Sequence, residues 1–131
     1  MLLQAVKSLK KHALSVDNSE VDLCARGFHH SSNAKRIHLE TVGRSFLKGY
    51  HLFLTDHGIE TSFKQLANEP SNYRGFCIEG AAMAVWLLDS LSVFNRSRWG
   101  RFYAQAYTTQ PYIIHVGVGW ALARLPRAIA R

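Results

Sequence analysis

Apolar residues recur along this chain mostly at helical spacing, and breaks in the pattern divide it into about six segments. In Met1–Leu14, Leu2, Leu3, Val6, Leu9 and Leu14 fall near one face, and Lys7, Lys10 and Lys11 on the other. At this length an amphipathic helix is expected to dock on the protein's own surface rather than lie on an anionic membrane. Ser15–Ser19 (SVDNS) favours a turn, because Asp, Asn and Ser side chains compete for backbone hydrogen bonds. In Glu20–Phe28, Val21, Leu23 and Ala25 alternate with Asp22, Cys24 and Arg26. No second segment offers to pair with it, so it reads as irregular, and a loop (GFHHSSN) follows.

Ser32 or Asn33 is placed to cap a helix from about Ala34 to Asp56. Its inward positions are Ile37, Val42, Phe46, Tyr50, Leu52 and Phe53, with Lys35, Arg36, Glu40, Arg44 and Lys48 on the wet side. Gly58 marks its end. A short helix over Thr61–Ala67 turns Phe63 and Leu66 inward, and Glu69-Pro70 closes it. In the next helix, about Tyr73–Leu91, Phe76, Gly80, Met83, Leu87 and Leu91 share a stripe that Trp86 widens. Gly75, Gly80, Ala81, Ala82 and Ala84 leave the rest of its surface low, so another helix can approach closely. Ser97 begins a helix containing Trp99, Phe102 and Tyr103. The last helix starts at Pro111 and carries Ile114, Val116, Val118, Trp120, Leu122 and Leu125. Gly117, Gly119, Ala121 and Ala123 again allow tight contact, and Pro126 stops it. The expectation is an all-α fold, an irregular bundle of about six helices forming one domain over residues 1–131.

Composition narrows the function classes. The 131 residues are 47% hydrophobic and 19% charged, which suits a folded core. Neither apolar run, Gly80–Leu88 nor Tyr112–Ala123, approaches the roughly 20 residues that cross a bilayer. The lysines follow the first apolar residues, against the order of a signal peptide. Cys24 and Cys77 stand alone, which points to a reducing cytoplasm and away from cysteine-held zinc. The net charge of +7 gathers toward the ends, at Lys7, Lys10, Lys11, Arg96, Arg98, Arg101, Arg124, Arg127 and Arg131. No nucleic-acid motif accompanies it, so a solvated basic surface explains it better than nucleic acid.

Three segments, Cys24–His29 (CARGFH), Tyr73–Asp89 (YRGFCIEGAAMAVWLLD) and Tyr112–Pro126 (YIIHVGVGWALARLP), together with Val42–Tyr50 (VGRSFLKGY), resemble a bacterial family of uncharacterised proteins associated with enediyne polyketide biosynthesis. The resemblance covers most of the chain in the family's order. It implies a cytoplasmic accessory protein of natural-product assembly that acts on or near a polyketide-derived polyene. A polyketide synthase or another biosynthetic protein is the implied partner, beside a hydrophobic small molecule or a second copy of the chain. Family members are more than twice as long, so this chain corresponds to their first half, and the alternative to an active accessory protein is a non-catalytic scaffold or interaction domain or an inactive truncated paralogue. The resemblance lends no chemistry to individual residues and no cofactor.

Candidate chemistry comes from polar groups that interrupt apolar helices. Glu79 does so in the fourth predicted helix, and a carboxylate there must be paired, protonated or bound. His115 does so in the last. If the two glycine-rich faces pack together, Glu79 and His115 approach as an acid/base pair, with Arg74 and Tyr112 to orient them. The alternative is structural: Glu79 paired with Arg74 or Arg124, and His115 bonded to a carbonyl, fixing helix register. No Glu in the chain has His three residues on, so the di-iron bundle motif is missing. Nothing in the spacing of His51, Glu79 and His115 calls for a metal. His29-His30 reads as a surface loop. Trp86 and Trp120, with Tyr73, Tyr112 and Met83, are expected in the core before they are expected around an apolar pocket.

Overall fold

The structure, a computed structural model, describes residues 1–29, 32–55 and 57–126. His30, Asp56, Arg127 and Arg131 lie outside the described residues. Among the described residues the fold is an all-α bundle of six helices: α1 (Leu2–Leu14), α2 (Asn33–Leu54), α3 (Ile59–Leu66), α4 (Ser71–Ser90), α5 (Arg98–Ala106) and α6 (Pro111–Arg124). The stretch that reads as irregular holds one short 3₁₀ turn, Asn18–Val21, started by Asp17, whose carboxylate accepts from the Ser19 N–H. Ser32 caps α2 by accepting from the Lys35 N–H, and Pro111 opens α6, where its missing N–H costs nothing.

The centre of the bundle is α4, packed chiefly between α2 and α6. The small residues work as their spacing suggests. A methyl group added at Gly80 would lie 2.0 Å from the Phe46 carbonyl oxygen, and one at Gly49 would lie 1.8 Å from that of Cys77. The backbones of α2 and α4 therefore touch where they cross. On the other flank, a methyl at Gly117 would lie 2.3 Å from the Glu79 carbonyl oxygen, so α6 meets α4 in the same way. Gly119 faces open space.

Where α2, α3, α4 and α5 converge, the core is aromatic. Phe53 meets Phe63 and Phe102 edge-on at 5.2 and 5.4 Å, and Phe63 stacks on Phe102 at 5.3 Å. Trp86 stands edge-on to Trp99 at 4.9 Å. Met83 and Trp86 thus sit in or against the core, as their spacing suggests, whereas Trp120 and Tyr112 are exposed.

Two polar positions depart from the sequence reading. Glu40, assigned to the wet side of α2, is only 6% exposed. Its carboxylate lies 3.5 Å from Arg36 and 3.9 Å from Arg44, one turn away on either side, and accepts from the Leu23 N–H at 3.1 Å. The segment after the 3₁₀ turn lies over it, and the flanking arginines compensate the burial. Asp89 at the end of α4 is also buried and accepts from the Trp99 N–H at 2.8 Å and from Arg98 at 3.1 Å. It, and not Ser97, satisfies the opening turn of α5, for Ser97 makes no side-chain cap.

The first helix departs more. It is attached along one edge: Lys10 Nζ donates to the Leu91 carbonyl at 3.1 Å, the Tyr50 hydroxyl donates to the Leu14 carbonyl, and Leu14 packs against the core. Of the expected stripe only Leu14 packs against the core, while Leu2, Leu3, Val6 and Leu9 stay in solvent. The helix touches the body through Lys10 and its last turn, so the rest of the row, with Ala13, is left facing outward.

Candidate functional site

The Glu79 carboxyl stands at the seam between α4 and α6, half-buried, one residue before the glycine that meets α2. Because Gly117 brings α6 against the Glu79 backbone, the indole of Trp120, nearly one turn later, comes within reach. Trp120 Nε1 donates to Glu79 Oε1 at 2.8 Å. Burial raises the Glu79 carboxyl above its usual value, and the indole hydrogen bond offsets part of that rise. The second oxygen, Oε2, takes no hydrogen bond among the described residues. The Trp120 ring itself is 54% exposed. The seam thus presents a carboxyl inclined to keep its proton beside an open aromatic face.

The other three candidates are not gathered around it. His115 is exposed, and its ring lies 6.3 Å from that of Tyr103 on α5. It sits two residues before Gly117, a step of about 200° around the helix, so it points away from the face that meets α4. Tyr112 is exposed near the start of α6. Arg74 reaches back along the chain, where Nη2 donates to the Ala67 and Glu69 carbonyls at 3.1 and 2.9 Å and fastens the end of α3 to the start of α4. Among the described residues no hydrogen bond or ion pair joins Glu79 to His115, Arg74 or Arg124. The partner of Glu79 is an indole, which the sequence reading placed in the core. A signal was present: Trp120 follows the glycine pair by a helical step, on the side of α6 that Gly117 turns toward α4.

Nor do His51, Glu79 and His115 form a metal set, since His51 Nε2 accepts from the Val16 N–H at 3.1 Å. Among the described residues no group of three His, Cys, Asp or Glu side chains is arranged to hold a metal ion.

Residues 5–131 match the family described as protein of unknown function, DUF1702. The chain belongs to the DUF1702 family. No curated protein and no solved structure matches it significantly. Two open grooves lie elsewhere on this DUF1702 chain. One, of about 500 Å³, runs beside Asn18, Arg44, Lys48, His51, Leu52 and Thr55. The other, about 330 Å³, lies beside Cys24, Gly27, Phe28 and His29. In the first, Glu40 and Glu69 already pair with Arg44 and Lys48.

The two thiols of the DUF1702 chain should differ sharply in reactivity. Cys24 is exposed, whereas Cys77 is enclosed between α4 and α2, and burial, helped by the Glu69 charge, pushes its thiol up to about 11. Titration of the native protein with a disulfide reagent at neutral pH is expected to modify Cys24 promptly and Cys77 only after denaturant is added. Prompt modification of both would mean that the α2–α4 crossing opens in the native state.

Proposed function

We propose that this chain is an accessory protein in the assembly of a polyketide-derived polyene of the enediyne type, and that its working surface is the α4–α6 seam. The biosynthetic setting comes from the resemblance of the CARGFH, EGAAM and HVGVGWALARLP segments. The Glu79–Trp120 couple carries the assignment of the surface: a carboxyl raised above its usual value by burial, with one oxygen unshared among the described residues, beside an exposed indole. Such a couple suits an extended, unsaturated chain bearing a carbonyl, which can lie on the ring while the carboxyl donates a hydrogen bond to that oxygen.

A second reading, an interaction domain without chemistry of its own, is favoured by one observation. Among the described residues Arg74 bonds other groups and His115 faces away, so neither orients or recharges Glu79. The first reading expects a different outcome from Glu79→Gln than the second. The amide still accepts from Trp120, so the fold should persist. Restoring a deletion strain with wild type, Glu79→Gln and Trp120→Phe and profiling its metabolites separates the two. Loss of product with folded Glu79→Gln supports the acid role. Full restoration by Glu79→Gln, with loss only when Trp120 and the neighbouring exposed Leu122 are made charged, supports docking. Full restoration by every variant removes the seam from consideration.

Stability offers a check on the carboxyl itself. A carboxyl raised in the folded state favours folding below its unfolded value, and that contribution is lost as pH rises through its folded value. Glu79→Gln is therefore expected to melt no lower than wild type at neutral pH, and relatively lower as the solution is made acidic. A variant that melts well below wild type at pH 7 would show that the ionised carboxylate is the stabilising form.

A further inference from the structure

We propose that α1 and the loop after α4 form a surface that docks the protein on an anionic lipid bilayer. The first component is the unpartnered stripe of α1. Leu2 and Leu9 are 83% and 70% exposed, and Val6 and Ala13 continue the row at helical spacing. The second is the turn between α4 and α5, where Val93 and Phe94 are 79% and 99% exposed. Phe94 has essentially its whole side chain in water, at the tip of a loop that is itself well fixed. Asn95 N–H bonds to Ser92 Oγ at 3.2 Å, and Arg96 Nε bonds to the Ser92 carbonyl at 3.0 Å. The Lys10–Leu91 hydrogen bond joins the two components, because it holds α1 against the residue from which that loop departs.

Charge identifies the occupant. Neither residues 1–16 nor residues 90–131 contain an acidic side chain, while α1 supplies Lys7, Lys10 and Lys11 and the loop leads into Arg96. Lys10 and Arg96 donate to neutral carbonyls, so those bonds leave their charge unneutralised. Exposed leucines and a phenylalanine flanked by lysine and arginine fit a lipid interface, where apolar side chains enter the acyl boundary and ammonium groups meet phosphate. A second copy is a poorer match, since pairing α1 with itself would set lysine against lysine with no carboxylate to separate them. Because α1 spans 13 residues and no helix among the described residues is long and apolar enough to cross a membrane, the attachment proposed is peripheral and reversible.

Flotation of the purified chain with vesicles of phosphatidylcholine alone, and with about one-third phosphatidylglycerol added, tests this. Binding is expected only to the anionic vesicles and should weaken as salt is raised. The double substitution Leu2→Glu with Leu9→Glu, and separately Phe94→Asp, should each weaken binding by about tenfold or more. All three sites are exposed, so the melting temperature should stay at the wild-type value. Failure to bind anionic vesicles overturns the proposal, as does equal binding by both variants. A dimer that sediments in place of vesicle binding and dissolves in Leu2→Glu with Leu9→Glu would assign the stripe to a second copy instead. Loss in the α1 variant with full retention in Phe94→Asp would overturn the two-part surface.

Discussion

Replacing Gly80 by alanine is expected to lower the melting temperature by about 10 °C, although alanine is the better helix former. On an exposed helix the substitution would stabilise by roughly 1 kcal/mol. Here the new methyl would lie 2.0 Å from the Phe46 carbonyl oxygen. That atom belongs to the backbone of α2, so no side-chain rotation relieves the clash, and α2 and α4 must separate. The separation loosens the buried Met83 and Leu87 farther along α4, and a net cost of about 3 kcal/mol follows from overpacking of this kind. For a chain of this length that corresponds to a shift of roughly 10 °C. Gly49→Ala should behave alike, since its methyl would meet the Cys77 carbonyl at 1.8 Å. Gly119→Ala serves as the control, for nothing lies within 4 Å and a small gain is expected. Thermal melts that rank Gly80→Ala beside Gly119→Ala would contradict the contact between the α2 and α4 backbones.

Asp89→Ala should be comparably severe for a different reason. The carboxylate is buried, and removing it leaves the Trp99 N–H without its acceptor and the half-buried Arg98 guanidinium without its counter-charge. Breaking one side of a buried pair costs about 3 kcal/mol, with the unsatisfied amide included in that figure. Asp89→Asn keeps an acceptor for Trp99 and loses only the charge, so about half the effect should remain. Calorimetry on the two variants checks the order. An Asp89→Ala protein that melts within about 2 °C of wild type would mean that Ser97 or solvent can cap α5 unaided.

The helices and their crossings were legible because they depend on local spacing. Gly80 and Gly117 stand out in any reading of α4 and α6, and both fall where backbones meet. Gly49 was not singled out, although it touches α4 as closely. It sits among Phe46, Tyr50 and Phe53, with only Ser45 one turn before it to mark a low face. Asp89 and Glu40 show the limit of periodicity. A helical wheel places Glu40 among charged neighbours and so on the wet side; only the chain folding back after Val21 buries it. The arginines at positions 36 and 44 could have hinted at this. Nothing local says that Asp89 will cap a helix whose first residue lies nine positions on.

The candidate site was legible in part. Glu79 was visible as a charge within an apolar, small-residue helix, and the approach of the two glycine-bearing faces does bring α6 against it. The partner depended on rotation. With Gly117 fixed against α4, the residues three places on turn toward the seam and those two places back turn away. Trp120 therefore reaches Glu79, and His115 does not.

The two ends of α4 also do something for their neighbours. Arg74, near its start, bonds the Ala67 and Glu69 carbonyls just past α3, and Asp89, at its finish, accepts from the Trp99 amide in the first turn of α5. Both neighbours are short, at 8 and 9 residues, below the length at which an isolated helix persists in water. Their helicity is thus conditional on the α2–α4 body being in place, α3 against α2 and α5 against α4. The order of assembly this predicts is that the long pair α2 and α4 meets before α3 and α5 stop fraying.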